Sequence, residues 1–186
     1  MNYITGQHFN NIKSNQLEKV TYENCTFSNS VFADGKFDFI TFEECIFTDC
    51  DLSSVKLNAT SFKNVTFIQC KLLGVQFEHV NPFLLEMRFE NCVLNFSSFF
   101  KLAIKNTTFY ACQLHEVDFS EADISGSSFD ACSLDKTLFF KTNLTRCDFS
   151  EAKNVQLNPE ENQLTGAKFA LDGLPGLLLK YRLKIV

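Results

Sequence analysis

Tryptophan is absent from this chain of 186 residues, and histidine, glycine and proline are scarce, at three, seven and three residues. So little glycine and proline excludes a collagen-like chain and a disordered linker. The longest apolar stretches fall far short of a membrane span. His8, His79 and His115 stand apart from one another and no glycine-rich phosphate loop occurs, so neither an enzyme nor a cofactor is expected. None of the eight cysteines belongs to a Cys-x-x-Cys pair, which argues against zinc. A formal charge of −5 argues against a protein that holds nucleic acid by neutralising its phosphates.

What is abundant is phenylalanine, at 22 residues against four tyrosines. Its placement has a period of five. From Leu94 through Phe99, Ile104 and Phe109 to Phe149, every fifth residue is Leu, Ile or Phe. Neither the 3.6-residue helix nor the two-residue strand gives that period. A chain that turns a corner every five residues does, each fifth side chain pointing at a common axis. Two positions earlier runs a column of mostly small residues, among them Cys92, Ser97, Thr107, Cys112 and Ala122. Cys92, Cys112 and Cys132 recur every twenty residues, as do Phe89, Phe109, Phe129 and Phe149, so one coil has four sides. Here two opposite sides carry Phe and the other two Leu or Ile. Such a unit cannot bury its apolar side alone and must stack on its neighbours as a solenoid. A narrow axis also favours a ring without a polar atom, hence phenylalanine.

The register predicts that the chain enters the repeat at Ile12 and Leu17 and keeps it to Phe77. The next inward residue is then Leu84, so two extra residues lie within 79–83, with Pro82 in the small-residue slot, where it interrupts the ladder. After Phe149 the pattern weakens: Asn154 takes an inward position, Asn158–Asn162 reads as a turn, and Leu164 and Phe169 restore the register. Asp172 is placed to cap a short helix reaching Leu179, and Leu183–Val186 alternates like a strand. The fold expected is all-β: a four-sided solenoid over residues 1–171 and a carboxyl-terminal cap with helix and strand over 172–186. Stacked cysteines about 4.8 Å apart with parallel side chains do not suit disulfides, so all eight are expected as buried thiols.

Residues 1–80 hold six Lys and nine acids, residues 81–171 eight Lys or Arg and twelve acids, and the last fifteen three bases and one acid. Glu23 and Glu43 should stack one coil apart. The acids Glu116, Asp118, Glu121 and Asp123 read as a solvated face of a convex rod rather than an acid–base pair. Phe96, Phe100, Tyr110, Leu138 and Phe140 flank inward positions and should be partly exposed. Leu174, Leu177, Leu178, Leu179, Leu183, Ile185 and Val186 are more apolar residues than a cap needs. The surplus is expected to join a second copy, carboxyl end to carboxyl end, about a two-fold axis. The amino end shows neither a basic stretch nor an apolar run, which points to a cytoplasmic location.

Units such as Cys50-Asp51-Leu52-Ser53-Ser54, Ala122-Asp123-Ile124-Ser125-Gly126 and Cys147-Asp148-Phe149-Ser150-Glu151 resemble the A(D/N)LXX unit of the pentapeptide-repeat family over roughly residues 10–170. The resemblance implies a right-handed quadrilateral β-helix. The plan, with one break near the middle and an Asn-Pro-Glu-Glu-Asn turn before the carboxyl end, is similar to the Qnr-type quinolone-resistance and MfpA-like DNA-mimic branch. That branch implies a homodimer that binds DNA gyrase or topoisomerase IV and protects it from a quinolone or another poison, without itself binding nucleic acid or membrane. On this resemblance Glu116, Asp118, Glu121, Asp123, Asp130 and Asp135 face the topoisomerase, and Leu174, Leu177, Leu178, Leu183, Ile185 and Val186 form the dimer interface. The residues alone leave open a β-helical scaffold for an unrelated partner.

Overall fold

Each side of a coil is one five-residue unit in the computed structural model, which describes residues 2–184. Two positions after nearly every inward residue the backbone turns left-handed. Asn24, Asp34, Glu44, Asn64, Lys101, Glu121 and Arg146 have φ between 51° and 59°, and Gly74, Gly126 and Gly166 take the same place further along. A left-handed residue with a side chain costs about 1–2 kcal/mol. The corner offsets that cost, because the turned N–H reaches the next coil: Asn24 donates to Glu43 O at 2.9 Å, Glu44 to Lys63 O at 2.9 Å and Glu121 to Phe140 O at 2.8 Å. Asparagine tolerates this conformation best after glycine, and it recurs here.

The result is a parallel β-solenoid of about eight turns, the quadrilateral β-helix anticipated above. Its first face opens with a four-stranded parallel sheet, β1 (Tyr3–Thr5), β3 (Thr21–Glu23), β5 (Thr41–Glu43) and β7 (Ser61–Lys63). The second face runs the length of the rod through nine parallel strands: β2 (His8–Asn10), β4 (Thr26–Ser28), β6 (Ile46–Thr48), β8 (Val65–Ile68), β9 (Met87–Glu90), β10 (Thr108–Tyr110), β11 (Ser128–Asp130), β12 (Asp148–Phe149) and β13 (Lys168–Phe169). On the third and fourth faces, and on the first beyond β7, single residues pair from coil to coil, as Val93 with Gln113 and Ala103 with Asp123 do.

Inside, phenylalanine rings stack along the axis. Phe27 and Phe47 lie 4.6 Å apart with planes 12° from parallel, Phe89 and Phe109 5.1 Å apart at 5°, and Phe109 and Phe129 5.0 Å apart at 4°. Before the break a second column, Tyr22, Phe42 and Phe62, occupies the adjacent first face. From Phe77, just ahead of the break, the second column is Phe77, Phe99, Phe119 and Phe139 on the fourth face, opposite the main one. The eight cysteines are free and buried. Cys50, Cys70, Cys92, Cys112 and Cys132 form one ladder under the third face, each thiol donating to a carbonyl of the preceding coil, such as Cys92 to Phe67 O at 3.3 Å. Burial pushes the Cys45 and Cys147 thiols up to about 12.

Three details depart from the sequence reading. The repeat register starts earlier than Ile12, at β1, whose Tyr3 pairs with Thr21. Lys13 pairs with Val31, so Ile12 falls in the small column beside Ser30, and Ser14 takes the inward place above Phe32. This first coil is short, and a Cβ on Gly35 would collide with the Ser14 side chain. The extra residues of the break fall between Asn81, still laddered to Thr60 O, and Met87, paired with Val65. Leu84 therefore points to solvent and Leu85 packs on the core, while Val80 and Met87 fill the small column and Pro82 is exposed. At the end, Asn154 is exposed, and Val155 and Leu157 enter the core instead. The cap is two 3-10 turns, Leu171–Leu177 and Leu179–Tyr181, rather than an α-helix. Gly173, Pro175 and Gly176 explain the tighter form, and a Cβ at Gly176 would strike Val155 O. Asp172 lies inside the first turn, with Ala170 before it at the cap position. Leu183 and Lys184 form no strand, since Arg182 turns left-handed at φ 50°. Ile185 and Val186 lie outside the described residues.

Candidate interaction surface

In each unit the two residues flanking the inward one, and the corner residue, face solvent. The six acids singled out from the sequence accordingly spread over the whole circumference. Glu116 and Asp135 stand near the corner between third and fourth faces, Asp118 on the fourth, Glu121 at the next corner, Asp123 on the first and Asp130 on the second. Bases or a histidine meet four of them: Lys101 lies 3.6 Å from Glu121, Lys105 3.1 Å from Asp123, Lys136 3.6 Å from Glu116, and His115 Nδ1 2.9 Å from Asp135. Asp118 and Asp130 form no ion pair within 4.0 Å among the described residues. Asp118 instead accepts the Ser120 N–H at 2.7 Å. Burial opposes ionisation of Asp123, yet hydrogen bonds from Ser125 and Lys105 prevail and hold its carboxyl below the usual range. His115 also lies 3.2 Å from Glu116 and edge-on to the Phe96 ring, which ties two coils together.

Sequence reasoning found only the start of a second acidic strip. On the first face Glu23 stacks on Glu43 as expected, and Lys63 one coil on lies 3.1 Å from Glu43. Glu44 at the corner and Glu86 beyond the break extend this strip. A groove of about 420 Å³ runs between Glu43, Glu44 and Lys63 on one side and Leu84, Leu85 and Glu86 on the other. Phe83 and Leu84, at the tip of the break, are 67% and 64% exposed. Phe39 at the other margin of the same face is also 67% exposed. The expected outward residues Phe96, Tyr110, Leu138 and Phe140 are exposed too, and Phe100 is half-buried under the Lys101 ammonium.

At the carboxyl end Leu177 packs on the core, Leu178 is half-buried, and Leu171, Leu174, Leu179, Tyr181 and Leu183 are exposed. Lys180 and Tyr181 both bind Glu160, twenty residues back, and so hold the cap on the last coil. Next to it Lys168, 2.8 Å from Asp148, together with Ser150 lowers the Asp148 carboxyl to about 2. Among the described residues no three His, Cys, Asp or Glu side chains are placed to hold a metal ion, and no helix is long and apolar enough to cross a membrane.

A stack of four-sided coils built from five-residue units defines a solenoid repeat protein. The pentapeptide repeat region model matches residues 15–81 and 40–119, a model of eight pentapeptide repeats matches residues 112–150, and the chain belongs to the pentapeptide-repeat family. No curated protein sequence matches it. Among solved structures it is similar to QnrB1, a plasmid-mediated fluoroquinolone resistance protein. One trypsin-treated variant of QnrB1 aligns with a TM-score of 0.66 and 18% identity over 99% of this chain and 97% of that one. A second trypsin-treated variant gives 0.66 and 17% over 99% and 98%, and the full-length form 0.50 and 19% over 98% and 100%.

Proposed function

We propose that this protein is a non-enzymatic mimic of duplex DNA that occupies the DNA-binding saddle of DNA gyrase or topoisomerase IV and protects the enzyme from a quinolone or another poison. The observation that carries the reading is the alignment with QnrB1 over 99% of this chain and 97% of that one. The dimensions support it. Nine rungs make eight steps of about 4.8 Å, a rod of about 38 Å, and two rods joined at their carboxyl ends span about twenty-two base pairs at 3.4 Å each. Leu174, Leu178, Leu179 and Leu183 supply the apolar surface for that junction. Asp118 and Asp130, with the weaker contributions of the paired acids Glu116, Glu121, Asp123 and Asp135, supply negative potential toward the enzyme. Such a partner places the protein in the cytoplasm.

The test is gyrase supercoiling titrated with purified protein, with and without a quinolone, beside competition with linear DNA for the enzyme. Displacement of DNA, and rescue of supercoiling from the drug, are the results expected. Leu174→Asp with Leu183→Asp should yield a monomer that binds at least about tenfold more weakly. A second reading, a β-helical scaffold for an unrelated partner, draws on the pairing of four of the six acids with bases or histidine. It takes over if supercoiling is unaffected at high micromolar protein and DNA is not displaced.

A further inference from the structure

We infer that the break at residues 82–86, together with the acidic strip of the first face below it, is the surface that grips the enzyme, and that it fits an apolar cleft rimmed by Lys or Arg; this rests on the topoisomerase reading above. Phe83 and Leu84 are adjacent, apolar and about two-thirds exposed. Neither serves the core, because Leu85 and Met87 complete it. Nor is the tip loose: Pro82 fixes one φ, the Asn81 side chain accepts the Phe83 N–H at 3.0 Å, and Leu85 N–H returns to Pro82 O at 3.4 Å. A preorganised apolar tip loses little freedom on docking.

Strain points the same way. Most corners of this fold carry small, polar or charged residues, whereas Leu84 and Phe39 hold bulky apolar side chains at φ 56° and 63°. Both border the first face, and stability alone favours asparagine or glycine at such places. Between them run Glu23, Glu43, Glu44 and Glu86. Only Glu43 and Glu86 meet a base within 4.0 Å among the described residues, at Lys63 and Arg88. Apolar anchors framing a net negative strip call for a basic rim around an apolar cleft. Phe96 occupies a strained corner as well, with its ring edge-on against His115, and Phe39 has the Lys19 ammonium 5.5 Å over its ring, which leaves Leu84 as the bulky corner that no such contact accounts for among the described residues.

Binding of the full chain to purified gyrase is the measurement, with three double variants. Phe83→Ser with Leu84→Asn should lower affinity by about tenfold or more, and Glu23→Lys with Glu44→Lys by a similar factor that shrinks as salt rises. Val31→Ser with Leu73→Ser, apolar and exposed on the third face, should stay within about twofold of wild type. Asparagine suits the left-handed corner, so unfolding midpoints at or above wild type are expected for the tip variant. Unchanged binding by that variant, or equal loss in all three, overturns the inference while leaving the topoisomerase reading intact. Loss of self-association without loss of gyrase binding also overturns it, by making the tip a contact between copies. Wild type that does not bind gyrase at all overturns both.

Discussion

Phe67 and Phe89 stack 5.3 Å apart with planes 10° from parallel, although twenty-two residues separate them where twenty separate Phe47 from Phe67. The main ring column thus passes through the break undisturbed, and the two extra residues are expelled to the first face. There they mark an exchange of core pattern. Aromatic columns lie on adjacent faces up to Phe62 and on opposite faces from Phe77 onward, with aliphatic Leu85 and Ile104 continuing the first face. The joint is where one packing scheme hands over to the other.

Deleting a ring from the column should be far more damaging than changing the outer surface. Phe109→Ala and Phe129→Ala remove fully buried rings and should each cost about 3–5 kcal/mol. Ser120→Ala, whose side chain faces outward, should cost less than about 0.5 kcal/mol. Equal tolerance at both kinds of site in urea denaturation would contradict the axial packing.

The left-handed corners make an unusual forecast for glycine. Ala131, exposed with φ 55°, should gain about 0.5–1 kcal/mol on replacement by Gly, relief of the strained φ exceeding the added chain entropy. Ala122→Gly, at a buried small-column position, should lose about 1 kcal/mol. Opposite signs in paired chemical denaturation curves are the result to look for.

All eight thiols should resist a maleimide in the native protein and react fully in guanidinium. Cys112 is the sharpest case, because the neighbouring Cys132 and Cys92 thiols, and then burial, hold it well above the ordinary value and withhold the reactive thiolate. Rapid native labelling there, counted by mass spectrometry, would place the ladder outside the core.

Acid should weaken the carboxyl-terminal coil first. The folded Asp148 carboxyl sits at about 2, below its unfolded value, so its contribution is present above about pH 4 and is lost as pH falls toward 2. Asp148→Asn should therefore lower the melting temperature at pH 6 and converge on wild type near pH 2. A gap that persists at pH 2 would assign the effect to something other than the Lys168 pair.

How far the sequence foretold this protein depends on which rule each residue obeys. The inward columns were legible because Phe, Leu and Ile repeat at five and at twenty, and burial follows that repeat directly. Ile4, Phe9 and Ser14 also keep a spacing of five, but a polar residue in the third place hid the first coil. At the break, Leu84 and Leu85 fit an inward position equally well, and only corner geometry, which requires a left-handed residue, decides between them. The spread of the six acids could have been read: Glu116 to Asp123 spans eight residues, more than one side of a coil, so these residues cannot share a face. The first-face strip was harder, because Glu86 joins Glu43 and Glu44 only once the insertion is placed.

The stacked coils carry a consequence for folding speed. Laddered partners on every face lie eighteen to twenty-two residues apart, however far along the rod they are, so loop closure never has to span a longer segment. Absolute contact separation stays fixed as coils are added, and relative contact order falls. A rod of this kind can grow by whole coils without its assembly slowing in proportion. Exchange of its amide hydrogens should then proceed from the two ends inward, with the Phe89–Phe129 rungs the last to open.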